Sequence, residues 1–185
     1  AGEQMLDKLL IRLSISVLLI ASVYLLSHKQ RVLLTAMVLG LPTLATNWAV
    51  LVHPAPWLIL VDYASNVLFF GYVTWCLLQQ IFTAQRITAD TIWGSICIYL
   101  MLGFVWSFVY GSLAVIQPGA FKGAPTDQIS PLVYFSFVTL STLGYGDITP
   151  LTRQAQTLAF SEALVGQLYL TVLVARLVGL YRSNN

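Results

Sequence analysis

Apolar residues gather along this chain into five long runs, at about 9–26, 32–52, 57–82, 92–116 and 152–181. A helix crosses the ~30 Å hydrocarbon core of a bilayer with about 20 residues. Each run is close to that length or beyond it. The last would reach roughly 45 Å at 1.5 Å per residue, so it is expected to tilt or to extend past both faces. The segment 117–129 between the fourth and fifth runs holds Pro118, Gly119, Gly123 and Pro125, the signature of a loop. Ser130-Pro131 then reads as an N-cap and first helical residue. The helix they start would end near Leu140. At about ten residues it is too short to span, so it enters the membrane and returns. The pattern predicts an all-α integral membrane protein with about five transmembrane helices plus a re-entrant short helix and loop. It divides into an N-terminal three-helix membrane domain, 1–88, and a second unit, 89–185.

Composition sharpens this reading. The chain is 58% hydrophobic and 9% charged, with mean hydropathy +0.80. A soluble domain carries roughly 25% charged residues, so polar side chains are too few here to wrap a water-soluble globule. The net charge of +2 and the lack of a basic cluster give no footing for nucleic acid. Cys76 and Cys97 both lie in apolar runs and read as packing thiols; no cysteine–histidine cluster suggests a metal. His28 and His53 stand apart from any nucleophile, so no enzyme is expected. The chain starts with Ala1-Gly2 rather than Met, which leaves room for an upstream segment. No small-residue cleavage site follows the first run, so it is not a signal peptide.

Loop charges set an orientation. His28, Lys29 and Arg31 follow the first run, Arg86 follows the third, and Arg176 and Arg182 lie at the end of the last, while the 52–57 turn has no Lys or Arg. The positive-inside rule places the basic loops in the cytoplasm and the re-entrant loop outside. The N-terminus then falls outside too, where Lys8 and Arg12 fit poorly, partly offset by Glu3 and Asp7. An upstream span or an interfacial N-terminal helix would also accommodate them.

The re-entrant loop reads Thr142-Leu143-Gly144-Tyr145-Gly146-Asp147. A fragment of a dinucleotide fingerprint would need glycine at 149, which is Thr149, and a preceding strand. The order apolar helix, short helix, this loop, apolar helix, over 91–181, resembles the pore of tetrameric potassium channels. An ion that leaves water must find oxygens in place of its hydration shell, and backbone carbonyls supply them. Aiming successive carbonyls at one axis needs partly left-handed dihedrals, which glycine adopts without a Cβ penalty. The resemblance implies potassium ions bound by the carbonyls of Thr142, Leu143, Gly144, Tyr145 and Gly146 and by the Thr142 hydroxyl, with no other cofactor. Leu143 stands where the family usually has valine. Asp147 would face the outer mouth, and Tyr134 and Phe135 would form an aromatic cuff around the filter. Val138 takes a position that is acidic in some relatives, so no carboxylate partners Asp147 from there.

A re-entrant backbone must be covered by protein or water. One five-helix chain cannot cover it on all sides, and the filter occurs once. The family resemblance implies three further copies of the chain as partners, a homotetramer in a multi-pass setting in the plasma or inner membrane, surrounded by lipid. Gly166 lies where the family often has a hinge, and close packing against a neighbour explains a glycine equally well. Gln167, Leu170, Val174 and Val178 share one helical face; by the resemblance this face lines the cavity and inner gate. Glu162, near mid-membrane, is a functional candidate. It either braces the short helix through Thr139 or Ser141 or acts as a titrating gate.

The first three runs show no Arg or Lys at every third position, which argues against a voltage sensor. Pro42 should kink the second span. Asn47, Asp62 and Asn66 form one buried polar cluster between the second and third runs, or Asp62 and Asn47 simply sit near the outer interface. No soluble ligand-binding domain is expected in this chain. The resulting reading is passive, potassium-selective conduction. The alternatives are a non-conducting interaction protein that retains the pore fold, and a potassium transporter subunit, against which the single intact filter argues.

Overall fold

The computed structural model describes residues 2–25, 30–84, 88–124 and 129–183, with side chains left undescribed at 2–8, 11, 23–25, 30–31 and 180–183. The elements are α1 (Gly2–Leu25), α2 (Gln30–Val52), α3 (Pro56–Thr83), α4 (Ala89–Ile116), β1 (Phe121–Lys122), α5 (Ser130–Leu140), β2 (Thr149–Pro150) and α6 (Arg153–Ser183). The molecule is an all-α membrane protein. By length and composition, four of the described helical stretches can cross a membrane: Val32–Val52, Pro56–Thr83, Ala89–Ile116 and Arg153–Gly179. The first apolar run forms the 24-residue α1, within which the apolar stretch Arg12–Ser22 is a shorter one. The basic residues His28, Lys29 and Arg86, and Pro125 of the loop, lie outside the described residues, as do the side chains of Lys8, Arg31 and Arg182.

Helix boundaries follow local chemistry. Pro56 starts α3, where its missing N–H costs nothing. Thr88 caps α4: its hydroxyl accepts from Thr91 N–H while the Thr91 hydroxyl accepts from Thr88 N–H, both at 3.3 Å. α2 runs on through Pro42. The start of α5 corrects the expected cap by one residue. Ile129, already in helical conformation, holds the cap position, and its carbonyl accepts from Leu132 and Val133 at 3.0 and 2.9 Å. Ser130 and Pro131 are therefore both inside the helix, where proline is tolerated in the first turn.

Two apolar cores hold the helices. In the first, Phe69, Phe70, Val73 and Leu77 of α3 meet Ile98, Met101 and Phe108 of α4, and Ile15 and Leu19 of α1 join them. Phe70 stacks on Phe108 with ring centres 5.9 Å apart. This core runs across residue 88, so α3 and α4 are packed as one body. The second lies beneath the short helix, where Tyr110, Phe121 and Phe135 contact one another edge-on at 5.1–5.5 Å. The antiparallel ladder Phe121↔Pro150 and Lys122↔Thr149 closes the loop over this core.

Asn47, Asp62 and Asn66 are buried in one polar cluster, and Thr46 and Arg12 join it. Asp62 accepts from Thr46 at 3.0 Å and from Asn66 at 3.2 Å. The guanidinium of Arg12 reaches to 3.8 Å from Asp62 and donates to the Asn47 side chain at 3.0 Å. Arg12, out of place as an outer loop charge, is the counter-ion of a buried carboxylate and ties α1 to α2 and α3. Such residues inside a membrane protein persist where they pair.

Candidate functional site

The site is the exposed segment 141–147 that hangs from the end of α5 and faces the middle of α6. The last carbonyls of a helix lack intrahelical partners and must find others. Phe137 O accepts from Ser141 N–H at 3.1 Å, Val138 O from Leu143 N–H at 2.9 Å, and Thr139 O from Thr142 N–H at 2.9 Å. Leu140 O takes the hydroxyl of Tyr99 in α4 at 3.2 Å. The chain leaving α5 is thus turned sharply and held at its root.

Beyond that root the dihedrals alternate. Thr142, Gly144 and Gly146 have φ of +56°, +59° and +79°, while Leu143 and Tyr145 between them do not have positive φ. Within its own chain a Cβ on Gly144 or Gly146 would meet nothing within 4 Å, so there these glycines are required by backbone conformation. Thr142 is the sole described non-glycine residue with positive φ, a strain that persists where surroundings over-determine it. Leu143 and Tyr145 are largely exposed in the single chain.

The aromatic pair of α5 splits between two tasks. Phe135 is buried against Tyr110 and Phe121, inside its own chain. The hydroxyl of Tyr134 donates to Asp147 and holds its carboxyl below the usual carboxylate range; the Ile148 N–H, 3.0 Å from the same carboxylate, acts in the same direction. Where Val138 offers Asp147 no partner, Tyr134 does, one turn earlier on the helix.

Glu162 is fully buried, and its partners differ from those anticipated. Its two carboxyl oxygens lie 2.5 Å from the Ser136 hydroxyl of α5 and 2.5 Å from the Tyr110 hydroxyl of α4. Ser136 in turn reaches Gly103 O at 2.7 Å. The brace therefore sits one turn nearer the start of α5 than Thr139, because α6 and α5 meet at a depth that the spacing of residues does not encode. One side chain joins three helices.

At Gly166, α6 packs directly against the end of α5. A Cβ there would stand 2.5 Å from Leu140 O and 3.0 Å from the Leu140 side chain. The structure thus assigns this glycine a packing role. Gly166→Ala is expected to destabilise the protein by about 1–3 kcal/mol through overpacking against a fixed carbonyl. The readout is the melting temperature of the purified protein; an unchanged value would show that the helices stand further apart. The next residue, Gln167, donates from Nε2 to the Thr142 hydroxyl at 3.1 Å. Leu170, Val174 and Val178 follow as exposed apolar side chains. At the far end of α6, Arg176 donates to Ala84 O at 2.8 Å and lies 5.1 Å over the Phe82 ring, fastening α6 to the C-cap of α3. Sequence reasoning missed Thr142 as a strained position, Tyr134 as the partner of Asp147, and the Gln167 contact. The Thr-x-Gly-Tyr-Gly-Asp spacing alone carries no signal for contacts between elements 25 residues apart. Among the described residues no cluster of His, Cys, Asp and Glu could hold a metal ion.

Known proteins resemble parts of this sequence. The model of a family described as "Ion channel" matches residues 63–183. "Protein LctB" of Bacillus caldotenax is 30% identical over 129 residues, which cover 64% of this chain and 96% of that protein. "Two pore potassium channel c" of Oryza sativa subsp. japonica is 37% identical over 82 residues, 43% of this chain and 16% of that protein. "Two-pore potassium channel 4" of Arabidopsis thaliana is 34% identical over 83 residues, 43% of this chain and 29% of that protein. No solved structure matches.

Proposed function

This chain belongs to the ion channel family, and from that premise we propose that it conducts potassium passively through a pore built from four copies of itself. The observation that carries the reading is the alternation of φ at Thr142, Gly144 and Gly146, the backbone pattern needed to aim successive carbonyls of 142–146 at one axis. Carbonyl dipoles replace the hydration shell of a dehydrating cation without adding net charge. In this reading Thr142, Leu143, Gly144, Tyr145 and Gly146 bind potassium, with the Thr142 hydroxyl at the inner end. Asp147, kept ionised by Tyr134, draws cations to the outer mouth. Leu170, Val174 and Val178 line the cavity, where apolar rings close a pore by dewetting. The matched plant relatives are named as potassium channels, which supports potassium as the ion.

The assembly rests on the same segment. Residues 141–147 are all exposed in the single chain, and α6 leaves Phe160, Leu164, Leu168 and Val172 uncovered as well. Backbone at membrane depth needs cover by protein or water. Three further copies arranged about the filter supply it, with lipid outside, in the plasma or inner membrane. The cargo ion is the only species the site needs to bind.

The test is reconstitution into liposomes. In mixed potassium and sodium salt the reversal potential should track potassium, and the detergent-purified particle should have about four times the 20.4 kDa chain mass before bound lipid. Equal permeability to both ions would refute selectivity. A stable monomer that conducts would refute the assembly, and a folded, assembled protein that passes no current would leave a non-conducting scaffold.

A further inference from the structure

We propose that Gln167 is a positioning residue for the innermost ion site, its carboxamide setting the direction in which the Thr142 hydroxyl offers its oxygen; this rests on the potassium-channel reading above. A hydroxyl has one proton and two lone pairs. Gln167 Nε2 donates to Thr142 Oγ1 at 3.1 Å and so occupies one of the lone pairs. The other is left to meet a cation, with the electropositive amide hydrogens beside it. Thr142 is also the residue strained to φ +56°, so its side chain departs from a backbone that 2.9 Å hydrogen bonds to α5 already hold.

The contact depends on reach. Gly166 has no Cβ and lets α6 close on the carbonyl of Leu140, which brings the next residue under the end of the filter. From there the two methylenes of glutamine span the gap. Asparagine, one carbon–carbon bond shorter by about 1.5 Å, falls outside hydrogen-bond range. Both side chains are exposed in the single chain, toward the space that the pore reading assigns to the ion path. Conduction needs a site that binds well enough to be entered and weakly enough to be left. A ring of amide donors beside the last ligand keeps this exit site weak.

Barium is the probe: it is close to potassium in size, carries twice the charge, and dwells where oxygen ligands are strongest. In planar bilayers, Gln167→Leu and Gln167→Asn should both tighten block by internal barium, by about threefold, the loss of one neutral hydrogen bond. Gln167→Glu can only accept from the hydroxyl and brings negative charge, so its block should tighten by more than tenfold. Barium protection of the purified protein against thermal dissociation should follow the same order, and it reads the site in variants that pass no current. If Gln167→Asn behaves as wild type while Gln167→Leu does not, cavity polarity and not the contact sets the site, and the proposal fails. It fails also if both variants match wild type. A wild-type protein without potassium selectivity would instead remove the pore reading beneath it.

Discussion

Gly144→Ala is expected to abolish potassium current in a protein that still folds and assembles. The glycine has φ +59°, and a Cβ placed on it would touch nothing within 4 Å. Steric exclusion within the chain is therefore not the obstacle. The obstacle is the left-handed backbone, which costs an L-residue with a side chain roughly 1–2 kcal/mol. In the proposed tetramer four chains meet at one ring, so the cost is paid about four times over at a single point on the axis. The cheapest relief is rotation of the peptide plane to negative φ, which swings a carbonyl out of the ion path. A single-file pore cannot bypass the missing oxygens.

Gly119 supplies the control, with φ +88° and equally open space around its Cβ position, but in the loop after α4. Gly119→Ala should carry a similar local strain and leave potassium current intact. Liposome flux on both variants, alongside their particle mass, makes the comparison. Undiminished, selective current through Gly144→Ala would show that 142–146 is not the ion path. Loss of current in both variants would mean that strain anywhere in these loops disrupts assembly.

Membrane-scale features of this fold were legible because the bilayer is a severe solvent. Runs such as 57–82 and 92–116 have little choice but to become helices, and α3 and α4 occupy them within a few residues. Gly144 and Gly146 were legible because few residues other than glycine accept their dihedrals. What stayed hidden depends on how one helix sits against another. Residue spacing points Glu162 at Thr139 or Ser141, yet it meets Ser136, a turn away, and one turn on Gly166 packs against Leu140 O. Arg12 and Asp62 lie 50 residues apart, and hydropathy treats each as an isolated blemish in an apolar run. Thr142 was expected as an oxygen ligand, but its positive φ has no signature in a β-branched residue, whose own preference runs against it.

Glu162 offers the second large effect, and two substitutions separate its roles. Its carboxyl group stands 2.5 Å from both the Tyr110 and the Ser136 hydroxyls, with no exposure to solvent. Glu162→Ala removes both partners at once. The Tyr110 hydroxyl, left unpaired in a dry site, costs about 1–3 kcal/mol, and the emptied volume adds to it, while Ser136 retains Gly103 O. The three helices that hold the filter root lose their common tie, so the proposed tetramer should dissociate at a markedly lower temperature. Glu162→Gln should restore nearly all of this. The carboxamide oxygen can accept from Tyr110, its N–H can donate to Ser136, and Ser136 keeps its single proton for Gly103 O, 2.7 Å away. Every group is then satisfied without an ionisable side chain. As a brace, the glutamine variant should conduct with the pH dependence of wild type. If it instead lost a pH dependence that wild type shows, Glu162 would be a proton sensor, and the hydrogen-bonded junction would be the element through which protonation reaches the pore.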